Sequence, residues 1–83
     1  MILSKDIVLL AEQCRAARAL LNLSQKQLAD SSGVSLRSIQ GFEAGERELQ
    51  GVAKSAITRF LEAEGILLIS SHDTTGVLRR HPS

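Results

Sequence analysis

Tryptophan and tyrosine are absent from the 83-residue chain, and Phe42 and Phe60 are its only aromatics. That argues against recognition of nucleic acid by stacking bases on aromatic platforms. Cysteine occurs once, as Cys14, which excludes an internal disulfide framework and a four-ligand zinc site of the usual Cys/His kind. A single cysteine fits a reducing, cytoplasmic compartment. No apolar run reaches the roughly 20 residues that a membrane span needs. The opening MILSKDIVLLAEQ carries Lys5, Asp6 and Glu12 and no small-residue cleavage site, so it does not read as a signal peptide. Also missing are a glycine-rich phosphate loop, a paired-carboxylate pocket and a metal cluster. His72 and Asp73 lie side by side in a turn-rich stretch and His81 sits in the tail, with no third partner at useful spacing. The expectation is no enzyme, no metal, no cofactor and no evident small-molecule effector.

What is present suits one small domain. The apolar content of 43% supports one modest core, and the net charge is only +1. If such a chain binds DNA, its positive charge must be arranged rather than abundant. Periodicity predicts a first helix from about Ser4 to Asn22, with Ser4 as cap, Asp6 in the first turn, and Ile7, Leu10, Cys14, Ala17 and Leu21 as its buried stripe. Cys14 on that stripe reads as a small core residue rather than a reactive thiol. Ser24 and Gln27 have capping-box spacing at the start of a second helix that runs to about Ser32. Gly33 permits a left-handed turn, Ser35 caps a third helix over Leu36–Ala44, and Gly45 stops it. Residues 45–51 read as a polar loop. Residues 52–64 form a fourth helix that buries Val52, Ala53, Ala56, Ile57, Phe60 and Leu61. The apolar runs Ile66–Ile69 and Val77–Arg79 then flank a turn-rich segment, which predicts a β-hairpin.

Two helices joined across Ser31-Ser32-Gly33-Val34 fit a helix-turn-helix, with Leu28, Ala29, Val34, Ile39 and Phe42 facing inward. Pattern alone leaves a purely structural helical pair open. The wording of the chain adds more. From Arg15 to Gly45 it reads RxxRxxxxLSQxxLAxxxGVSxxxIxxFExG. This closely resembles the phage-repressor/Cro-like (Xre-type) helix-turn-helix family, over about residues 10–61. The fold expected is mainly α: a four-helix repressor-like helix-turn-helix domain (1–65) followed by a short C-terminal β-hairpin (66–80).

The resemblance implies a transcriptional regulator that binds an operator in double-stranded DNA, probing the major groove with the helix that starts at Ser35. Leu36, Arg37 and Gln40 would point there: Arg37 toward guanine, Gln40 toward adenine, and Leu36 either toward a thymine methyl or into the turn. Gln25 would contact a phosphate, with Lys26, Ser35 and Ser38 as further donors. Arg18 and Glu43 would form an ion pair inside the domain. Gly41, which weakens the third helix, would leave the DNA-facing surface bare. Where the family usually continues into a fifth helix, this chain turns to a hairpin. The hairpin must cover either the four-helix core or a second subunit. We favour the second, with Phe60, Leu61, Ile66, Leu67, Leu68, Ile69, Val77 and Leu78 as a homodimer surface, because paired half-sites need two-fold symmetry. The rival reading on the same scaffold is a protein-interaction module of the antirepressor or antitoxin type.

Overall fold

Leu9 and Leu10 decide where the first helix begins. A computed structural model describes residues 9–81, and helix α1 spans Ala11–Leu21. Leu10 is extended (φ −97°, ψ 152°), and its N–H donates to the Gln13 side chain at 3.1 Å. This local bond replaces a helical one and turns Leu9 into the core while Leu10 stays largely exposed. The expected stripe therefore needs correcting at Leu10. Cys14 and Ala17 are fully buried and Leu21 half-buried, as read; Ser4, Asp6 and Ile7 lie outside the described residues. Asn22 closes α1 in the left-handed region (φ 58°), with Leu23 N–H donating to Arg18 O.

Helix α2 (Gln25–Ser32) opens on the predicted capping box. Gln27 N–H donates to Ser24 Oγ, and Ser24 N–H donates to Gln27 Oε1. Gly33 (φ 79°) ends it, and Ser35 caps helix α3 (Leu36–Glu43) by accepting from Ser38 N–H. Leu28, Ala29, Ile39 and Phe42 enter the core. Helix α4 covers Gly51–Ala63 and buries Ile57 and Leu61. Val52, predicted inside, is 82% exposed; at about 100° per residue it falls outside the arc formed by Ala53, Ile57, Phe60 and Leu61. Leu49, from the loop read as polar, takes a core position instead.

Strands β1 (Ile66–Ser70) and β2 (Thr75–Arg79) pair antiparallel, Leu67 opposite Leu78 and Leu68 opposite Val77. The architecture is thus four helices and a two-stranded hairpin, mainly helical as expected. Partners across the ladder share a face. Ile66, Leu68 and Val77 look inward, and the first two are buried in the same core cluster as the helices. That corrects the expected dimer surface: Ile66, Leu68 and Leu61 are enclosed within their own subunit. An isolated hairpin is marginal in water, and this one is held by the helices.

The residue that fastens it is Gln13, 1% exposed, which the sequence reading passed over. Its Nε2 lies within hydrogen-bonding distance of Ile69 O (3.1 Å), Ser70 Oγ and Gly76 O (both 3.3 Å). Both strands are thereby tied to α1. Arg79 adds a bond to Leu20 O at 3.0 Å. Gln13→Ala takes this donor from the half-buried Ile69 and Gly76 carbonyls, and an acceptor left unsatisfied on burial costs about 1–3 kcal/mol. Urea unfolding of that variant is expected to show a loss of this order, and hydrogen exchange of the Ile66–Ser70 amides should quicken.

Candidate functional site

Three helices converge on one carboxylate. Glu43, the last residue of α3, has a side chain only 2% exposed. Arg18 grips it from α1, Nε to Oε2 at 2.9 Å and Nη2 to Oε1 at 2.7 Å, while Nη1 donates to Leu23 O. Gln25, the first residue of α2, donates to Oε1 at 3.0 Å. Cys14, fully buried on α1, adjoins the carboxylate, and Arg15 donates to the Glu43 backbone carbonyl. Burial pulls the Glu43 carboxyl upward, but hydrogen bonds from Arg18 and Gln25 and the charge of Arg18 outweigh it. The carboxyl sits below its ordinary value. Burial and the Glu43 carboxylate push the Cys14 thiol well above the usual range. It stays protonated.

The ion pair expected between Arg18 and Glu43 is present and bidentate. Gln25 differs from expectation, since its carboxamide is turned inward to Glu43 rather than offered outward. Its own backbone N–H and that of Lys26 remain open, because the first turn of a helix has no internal acceptors and Ser24 takes only the N–H groups of Gln27 and Leu28.

On the outer side of α3, Arg37 and Gln40 are exposed. Leu36 is half-buried and packs against the core. Ser35 Oγ donates to Ser38 Oγ at 2.8 Å, and exposed Lys26 pairs with Asp30 at 3.4 Å. Gly41 is not bare. It is on the face opposite Ile39, yet the Arg47 side chain covers it and it is buried. The expectation of a vacant patch is corrected: a residue from the following loop fills it.

Residues 15–52 match the Helix-turn-helix family. This match supports the resemblance to the phage-repressor/Cro-like (Xre-type) helix-turn-helix family. No curated protein matches the chain. At the family level the matched helix-turn-helix supports a DNA-binding transcriptional regulator, in a family that is generally non-enzymatic. Its α2 and α3 are the two helices of the motif, and the buried carboxylate is the joint between them. Among the described residues, no helix is long and apolar enough to cross a membrane.

Removing one partner of a buried ion pair costs about 3–5 kcal/mol. Glu43→Ala is expected to lose that much in denaturant unfolding. The pH dependence has a definite sign. A carboxyl lowered in the folded state stabilises above its unfolded value, 4.5, and this contribution fades as pH falls through the lower folded value. Urea unfolding at stepped pH should therefore show wild-type stability declining below about pH 4.5, with a shallower decline in Glu43→Gln.

Proposed function

We propose that the protein is a sequence-specific, repressor-like regulator acting in the cytoplasm, which binds its operator as a homodimer through α3. The observation that carries this reading is the division of polar groups on the motif. Arg15, Arg18 and the Gln25 carboxamide are engaged inside the domain, whereas Arg37 and Gln40 stand exposed together on α3. Arg37 suits the O6/N7 edge of guanine and Gln40 the N6/N7 edge of adenine. The open N–H groups of Gln25 and Lys26, the Lys26 ammonium and the Ser35 and Ser38 hydroxyls suit phosphates on either side.

In this proposal residues 1–65 form the DNA-binding unit, and the hairpin of residues 66–80 serves the same domain as its dimer contact. The contact uses the outer face of the hairpin, where Leu67 and Ile69 are half-buried and Leu78 is 53% exposed. Phe60 on α4 and Val77 on the inner face of the hairpin are half-buried against the core. Two copies joined there would offer two α3 helices to half-sites on one duplex.

Duplexes enriched from random sequence by the protein test this directly. Log affinity should fall linearly with log salt. Arg37→Ala should cost about 1–3 kcal/mol and relax preference at one base pair, whereas Lys26→Ala should weaken all sequences evenly. No enrichment, with a protein partner co-purifying, would favour the antirepressor or antitoxin reading. For the dimer, sedimentation should give two subunits for wild type at micromolar concentration and one for Leu78→Asp, with helical content retained. A monomeric wild type would sink that part of the proposal.

A further inference from the structure

Gly41 and Arg47 are not independent positions. A Cβ built at Gly41 would lie 2.8 Å from Arg47 Cγ, 2.9 Å from Cδ and 3.0 Å from Nε. Any side chain at 41 must therefore displace the stem of Arg47. The backbone makes the same connection. Gly45 (φ 77°) turns the chain back after α3, and Gly41 O accepts from Glu46 N–H at 2.9 Å and Arg47 N–H at 3.3 Å. The loop is thus anchored on the residue that its arginine covers. Gly41 follows Arg37 by four residues, so at about 100° per residue the two share the exposed side of α3.

The charge of Arg47 is unclaimed by the acids beside it. Glu48 pairs with Lys54 at 3.0 Å, and no ion pair among the described residues includes Arg47. An arginine stem holds several freely rotating bonds, and ordering it in a complex costs rotamer entropy. Packing the stem on α3 beforehand reduces that cost.

We infer that Gly41 is a seat for Arg47: the missing side chain lets the Arg47 stem lie against α3, holding its guanidinium beside Arg37 as a pre-ordered contact to a DNA phosphate. Gly41 is then a positioning residue that acts through Arg47. The inference rests on the DNA-facing role proposed for α3. It also accounts for a glycine inside a helix, where alanine would otherwise be favoured.

The test is a double-mutant cycle on the full chain. Wild type, Gly41→Ala, Arg47→Ala and the double variant are titrated at several salt concentrations. The probes are a duplex enriched by wild type and an unrelated duplex, with Arg37→Ala as reference. Arg47→Ala should weaken both duplexes about tenfold and reduce the salt slope by about 0.9. Gly41→Ala should produce much of the same loss in wild type and none in the Arg47→Ala background. In melting curves, which need no DNA, Gly41→Ala should raise the Tm more when Arg47 is absent, because the new methyl then meets no stem. Arg47→Ala binding like wild type, or losses from the two substitutions that simply add, would overturn the inference. If Arg37→Ala loses affinity while Arg47→Ala does not, only the seat falls. If wild type enriches no sequence, the role of α3 falls and takes the seat with it.

Discussion

The Glu43 carboxylate is the constraint around which the helices are arranged. A buried charge without partners is among the costliest groups a fold can contain. Here the partners come from separate helices: Arg18 from α1, Gln25 from the first turn of α2. A bidentate guanidinium is directional, so it fixes orientation as well as proximity. Apolar packing of Leu28, Ile39 and Phe42 alone would tolerate small slides of α3. With the carboxylate in place, such a slide breaks several charge-assisted bonds at once. The geometry of the motif is thereby set from the inside, by a carboxylate that is almost wholly enclosed.

The same constraint explains the distribution of charge. With a net charge of +1, the chain has few cations to present, and two arginines of α1 are committed to Glu43. The cations left around α3 are Lys26, Arg37 and Arg47, and they matter individually. A weak overall field gives little long-range steering, so recognition must rest on where each group is held. That is the condition under which ordering a side chain in advance has the largest effect.

Much of this was legible in the residues. Ser24 with Gln27, Gly33 and Ser35 announce the ends of α2 and α3 because capping chemistry is local, and the Arg18–Glu43 pair follows from the family resemblance at those positions. The failures share one physical origin. Gln13, Leu9 and Leu49 owe their burial to contacts with distant elements, and no local period reveals them. Gln13 in particular reads as an ordinary exposed helix residue until the hairpin carbonyls arrive 56 and 63 positions later. Val52 misled in the opposite sense, since an apolar residue at a helix start carries no mark of which arc it joins. Gly41 was placed on the correct face, but its cover comes from a loop whose path depends on Gly45. One signal was available: a glycine inside a helix, followed six positions later by a long cationic side chain.

Helix α1 links the two ends of the molecule. Gln13 holds the hairpin and Arg18 holds α3, five residues apart on one helix, or about 7.5 Å along its axis. Both attachments are hydrogen-bonded and largely buried, so neither end shifts without disturbing the other. A dimer formed on the outer hairpin face would therefore transmit its geometry to the two α3 helices through a short rigid element rather than a flexible linker. Spacing between half-sites would follow from the packing of Leu67, Ile69 and Leu78 across the two-fold axis. In such a design the hairpin is more than a cap on the core: its inner face, through Ile66 and Leu68, stabilises each subunit, and its outer face sets the separation at which two subunits meet DNA.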